Sequence, residues 1–232
     1  MSIPLFLAAT VQEIRAIPAG ERNIGWMSCH FSPNDSGLAD IPYALPPDSM
    51  LILDDRIAIT NHNPTLVAEQ LSRAVIELKC SHVLLDWERS ATPESIEMLR
   101  QILHKLPCPA GVTASFSEGL SCAVFLPPIP PHVLPSDYLK QWPGRKIWLE
   151  AALDGSLGTL TTEGCSFQSV PFPTPAEPEH FSEKLHCHYS ITADTNQAQF
   201  HFRRTREDLD SLLSACEKLG VSLAVGLYPE LG

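Results

Sequence analysis

The sequence predicts an α/β fold, a TIM-type (β/α)8 barrel with reduced outer helices and an insertion before the last βα unit. Three observations point to it. Short apolar segments recur eight times, two amphipathic helices with clear caps flank the fourth segment, and that segment ends in Asp86 and Glu88. A strand sends alternate side chains to one face, so both carboxylates would emerge together at the C-terminal end, where parallel α/β folds place their chemistry. With 232 residues and 44% hydrophobic content, the chain can bury one large core, and residues 1–232 read as a single barrel domain.

In chain order the candidate strands are residues 3–9, 24–31, 50–54, 83–88, 111–115, 122–126, 146–153 and 223–228. Residues 11–17 have the pattern of a weak helix, and residues 34–48 form a Pro-rich loop. The helix over 64–79 places Val67, Leu71, Ala74 and Leu78 on one side, with Asn63 as N-cap and Pro64 at the first helical position. Thr92 caps the next helix, which begins at Pro93 and aligns Ile96, Leu99, Leu103 and Leu106. Residues 117–121 are too few for a helix, so the crossover there has lost its outer cover. Thr205 and Asp208 resemble a capping box ahead of Leu209, Leu212, Cys216 and Leu219, and Gly220 ends that stripe. Residues 155–204 read as an excursion or small subdomain, with a Pro-, Ser- and Thr-rich start and two alternating strands around Thr195 and Asn196.

Sixteen basic against twenty-seven acidic residues give a net charge of -11, which argues against nucleic acid as a partner. No apolar run approaches the roughly 18 residues of a membrane span, and no membrane partner is expected. Seven cysteines without a paired spacing suggest reduced thiols and a cytoplasmic protein, although a secreted chain trimmed of its leader would read the same way. No Gly-rich phosphate loop appears, Ser28 and Ser115 lack the context of a serine nucleophile, and no cofactor is implied.

The residues 81–88, Ser-His-Val-Leu-Leu-Asp-Trp-Glu, resemble the fourth-strand motif D-G-x-D-x-D-x-E of glycoside hydrolase family 18, the chitinase-like barrels. The resemblance places Glu88 on the catalytic acid, Trp87 on the aromatic before it, and Asp86 on the Asp that orients the substrate's acetamido group. It also places Tyr228 where a sugar-stacking aromatic is usual. It implies a ligand containing N-acetylated amino sugars, with the acetamido oxygen as nucleophile. The departures are definite. Ser81, His82 and Leu84 stand where Asp, Gly and Asp are expected, and Leu126-Pro127-Pro128 replaces a Tyr-Asp pair.

Physical chemistry supports the acid pair independently, because a neighbouring carboxylate raises an acid's pKa and keeps its proton available near neutral pH. Asp54, closing the adjacent strand, and Glu150, inside an apolar strand, are expected to help bind substrate. Trp26 and Trp142 are candidate sugar platforms. Asp55 reads as a solvated turn acid, and His186 and His188 as hairpin surface residues rather than metal ligands. The leading expectation is a glycosidase-like protein acting on or binding such glycans. The rival is a non-catalytic carbohydrate-binding or interaction module on the same scaffold. A third reading is a metal-assisted hydrolase using Asp54, Asp86, Glu88 and a histidine.

Overall fold

The computed structural model describes residues 3–18, 20, 23–59, 61–171 and 177–232. Its first elements are β1 (Leu5–Ala9), α1 (Val11–Ile14), β2 (Ile24–Phe31), β3 (Leu38–Ala39) and β4 (Met50–Asp54). There follow α2 (Pro64–Leu78), β5 (His82–Asp86), α3 (Pro93–Lys105), β6 (Ala110–Thr113), a 3-10 turn (Ala114–Phe116) and β7 (Ala123–Leu126). Next come α4 (Pro135–Leu139), β8 (Ile147–Ala151), β9 (Gly155–Thr161), β10 (Gly164–Val170) and β11 (His180–Ser182). The chain ends with β12 (Cys187–Ala193), β13 (Gln197–Arg203), α5 (Arg206–Lys218), β14 (Val221–Leu227) and α6 (Tyr228–Leu231).

Eight of these strands close into a parallel barrel in the order β1-β2-β4-β5-β6-β7-β8-β14, with β14 returning to β1. The predicted fold class is the one observed. Alternation along each strand divides its side chains between the axis and the outer wall. On β5, Leu84 joins Phe6, Met50, Ile52, Phe125 and Trp148 inside the barrel, while Val83 and Leu85 face outward. On β8, Trp148 points inward, while Ile147, Leu149 and Ala151 pack outside against Leu209 and Leu212 of α5.

The helix caps form as the sequence indicates. Asn63 accepts from the backbone of Thr65 and Leu66, while Thr92 and Thr205 each complete a capping box with the residue three positions on. Lys79 ends α2 in the left-handed conformation. In α3 the most buried side chains are Met98, Leu99 and Ile102, so the inner face is rotated from the expected Ile96–Leu99–Leu103–Leu106 stripe, of which Leu99 is fully buried and the other three are half-buried at the margin. The cause is the neighbouring α2, which α3 packs against as well as the barrel wall.

Residues 155–203 hold a separate antiparallel sheet of five strands, in the order β10-β9-β13-β12-β11. The hairpin of β12 and β13 lies where expected, and residues 172–176 of the Pro-rich start fall outside the described residues. The hairpin of β9 and β10 was not anticipated. Its Gly, Ser and Thr content reads as loop, yet its backbone is paired along seven residues. Arg204, 4% exposed, fastens the start of α5 to the carbonyls of Ile129 and His186. Among the described residues no helix is long and apolar enough to cross a membrane.

Candidate active site

The C-terminal mouth of the barrel gathers acids because adjacent parallel strands end in register. Ile52 faces Leu84 across β4 and β5 on the inner side, so two residues on Asp54 faces Asp86 on that same side. Glu150 is in register with Val225 of β14, itself an inward residue. Glu88 lies beyond the end of β5, which stops at Asp86. Strand alternation therefore does not position it.

A clamp between two loops does that work. Asp55 is 4% exposed, and its carboxylate accepts the backbone N–H groups of Glu88 at 2.9 Å and Arg89 at 3.0 Å. Arg89 returns two bonds of 2.7 Å, to the carbonyls of Asp55 and Arg56. Charge-assisted bonds of this kind are the strong class. The expectation of a solvated turn acid at Asp55 is thus corrected: the carboxylate is a buried scaffold for Glu88. Thr113 adds a hydrogen bond to the Trp87 carbonyl at 2.7 Å.

Burial pushes the Asp86 carboxyl up to about 6, and the charges of Glu88, Asp54 and Asp55 add to the shift. Glu150 is pushed up to about 7, first by burial and then by Asp86, Asp154, Glu230 and Glu88. Glu230 arrives on α6, where it accepts the Leu153 N–H. Tyr138, on α4, donates to the Pro127 carbonyl at 3.0 Å, and its hydroxyl is pushed up to about 12 by burial and by Glu150. Asp54 forms an ion pair with Arg56, whose guanidinium approaches to 2.7 Å.

Three cavities join at these groups. One of about 100 Å³ is lined by Asp86, Glu88 and Glu150 with Phe125 and Val225. It shares Asp86 and Glu88 with a neighbour of about 420 Å³, which also has Asp54, Asp55, Arg56 and Arg89 in its wall. Arg56 in turn borders a third of about 490 Å³, lined by Trp26, His30, Ile41 and the fully exposed Tyr43. The path crosses the mouth from the β8 side to the loop after β3.

The structure brings together Asp54, Asp86, Glu88 and Glu150, and corrects the expected aromatics. Trp87 is completely buried, packed edge-on between Phe31 and Phe116 at 5.6 Å from each, so it cannot touch a ligand at the mouth. Trp26 is 7% exposed, with its Nε1 donating to the Asp40 carbonyl, and borders only the distal cavity. Tyr228 opens α6 instead of extending β14 and packs with the outer cluster, leaving Leu227 at the acid-lined cavity. Trp142 likewise packs against that outer cluster.

His186 and His188 have separate partners, Ser211 and Asp208. Among the described residues no three His, Cys, Asp or Glu side chains are grouped to hold a metal. Sequence reasoning missed Arg56, Arg89 and Tyr138. The run Asp54-Asp55-Arg56 at a strand end carried a signal for the first of these.

Neither a protein-family model nor a curated protein matches the chain. Solved structures do. A mutant GH18 chitinase from Cycas revoluta, solved in complex with (GlcNAc)4, matches 97% of this chain and 94% of its own at 9% identity, with a TM-score of 0.59. The chain shares its barrel architecture with chitinases. A chitinase-like agglutinin from Robinia pseudoacacia matches the same shares at 8% identity and a TM-score of 0.58. The spore cortex-lytic enzyme SleL of Bacillus cereus matches 97% of this chain and 70% of its own at 13% identity, with a TM-score of 0.56. At these identities the likeness establishes the architecture, and the residue roles rest on the site itself.

Proposed function

We propose that the barrel mouth is a site for glycans containing N-acetylated amino sugars, and that Glu88 is the proton donor in cleaving them. The observation that supports this most is the meeting of Asp86, Glu88 and Glu150 on one cavity, with the Glu88 backbone fixed by a buried carboxylate. Asp86 and Glu150 are both held up by burial and by nearby negative charge, so a proton stays on that pair near neutral pH. Such clusters are costly and mark functional sites more often than structural ones.

In the reaction, Glu88 passes its proton to the glycosidic oxygen as the bond to C1 breaks. The acetamido oxygen of the same sugar closes on C1, and Asp86 accepts a hydrogen bond from the acetamido N–H, aligning that group. Water then opens the ring, and its proton returns to Glu88. Burial and the like charges of Glu88, Asp54 and Asp55 favour the protonated form of Asp86, and Asp86 in turn adds to the burial that holds the Glu150 carboxyl up. The adjoining cavities toward Tyr43 have room for further sugar units, favouring oligomers over single sugars.

One observation favours a second reading, a sugar-binding module without turnover. Leu84 is 1% exposed on the barrel axis directly below Asp86, where the resembled motif has another Asp. The agglutinin among the structural neighbours is consistent with binding on this architecture. Incubating the wild-type protein with oligomers of N-acetylglucosamine and of glucose, following new reducing ends and binding heat in parallel, separates the two. The proposal expects cleavage of the first series only. Binding without new ends supports the module, and neither signal rejects the glycan site.

A further inference from the structure

The end of the barrel opposite the acidic mouth has a different character. A cavity of about 680 Å³ opens at the N-terminal ends of β6, β7 and β8, walled by Ala110, Cys122 and Ala123, with Trp148 at its floor. It exists because the β6–β7 crossover has no α-helix. Only the 3-10 turn and residues 117–122 join those strands, so nothing covers their lower ends. Gly111 lets the Trp148 ring lie close against β6, since a Cβ there would lie 2.2 Å from it.

The charge of this cavity is opposite to that of the chain. Acidic residues outnumber basic ones twenty-seven to sixteen, yet the lining includes Arg145 and Lys146 and no carboxylate. Arg145 is held in place by Nη2, which donates to the Ser117 carbonyl at 3.1 Å and the Leu120 carbonyl at 3.3 Å. Its Nε and Nη1 have no acceptor among the described residues. Lys105 and Lys140 are tied to Glu69 and Asp137, whereas Lys146 forms no ion pair among the described residues. Lys146 also lies near enough to His82, which packs edge-on against Trp148, for its charge to add to burial in holding that imidazole below its usual range.

We propose that this cavity binds a small polyanion, a phosphorylated or polycarboxylate molecule, at the face of the barrel remote from Glu88. The volume suits a small ligand, and a fixed guanidinium beside an exposed ammonium matches an anion with two or more charged oxygens. The opposite signs of the two ends keep such a ligand out of the mouth.

Calorimetric titration of the whole protein with pyrophosphate and with citrate tests this, using glucose as an uncharged control. Binding of at least one polyanion at about millimolar affinity or tighter is expected, the tighter probe indicating whether phosphoryl or carboxylate groups are preferred. Two rim substitutions at exposed positions, Lys146→Glu and Ser121→Glu, should each weaken it by about tenfold or more, while Glu88→Gln leaves it unchanged. Absence of heat from both polyanions, or equal binding by wild type and both rim variants, would overturn the proposal.

Discussion

From β4 to β6 the chain crosses the barrel wall with helices of 15 and 13 residues, whereas from β6 to β8 it crosses with a three-residue 3-10 turn and a five-residue helix. A parallel strand must have its outer face covered, and the two regions meet that need differently. In the first, α2 and α3 cover β4, β5 and β6 directly, and Trp87, Leu85 and Val112 are sealed beneath them. In the second, cover comes from farther along the chain, where Leu209, Leu212 and Leu213 of α5 pack on Val124, Leu149 and Val221. Local cover makes a rigid platform for the strand that carries Asp86. Remote cover leaves one end of the barrel open and lets the five-stranded sheet leave the wall after β8.

If the first region is the rigid platform, the largest loss of stability should come from Trp87→Ala, about 3–5 kcal/mol, with Leu139→Ala on α4 at the low end of the 2–5 kcal/mol range for such truncations. Denaturant melts of the two variants check this. Similar losses would show that the short crossovers are packed as tightly as the long ones.

Asp55→Ala comes next. It removes a buried acceptor from two backbone N–H groups and should cost about 2–3 kcal/mol. Because Glu88 hangs from that clamp, glycan affinity and turnover should fall with it, whereas Asn63→Ala, a loss of about 1 kcal/mol at the N-cap of α2, should leave both unchanged. A variant that keeps full activity despite losing Asp55 would show that Glu88 is positioned by something else.

A smaller effect is expected from Glu150→Gln, and its sign depends on pH. In the folded protein Glu150 holds its proton up to about 7, against 4.5 when unfolded. Its contribution is therefore most favourable below about pH 4.5 and is lost as pH rises through about 7. The amide should be more stable than wild type by on the order of 1–2 kcal/mol at pH 8, after discounting for its partial exposure, and no better at pH 4. Parallel stability–pH curves would contradict burial of this acid.

The platform was more legible in the sequence than the remainder. Asn63 and Thr92 announce its two helices because capping is a local rule, and the inward placement of Leu84 and Asp86 follows from strand alternation. Glu88 escapes that rule, since β5 ends at Asp86 and the clamp reaches from Asp55, 33 positions earlier in sequence. Trp87 was misplaced because motif position suggested a ligand contact, while its ring packs into the outer wall between Phe31 and Phe116. Tyr228 was misplaced because Pro229 begins a helical turn just where β14 would otherwise continue. The hairpin of β9 and β10 is mostly solvent-facing, so its sequence has little apolar alternation to read.

The most direct test of the mouth as a catalytic site is Glu88→Gln, assayed for turnover and for binding on the same N-acetylglucosamine oligomer. The amide keeps the shape and the backbone clamp but holds no transferable proton, so turnover should fall by about 10²- to 10⁴-fold while affinity and melting temperature remain near wild type. Equal turnover by the two proteins would contradict the assignment of Glu88 as the proton donor.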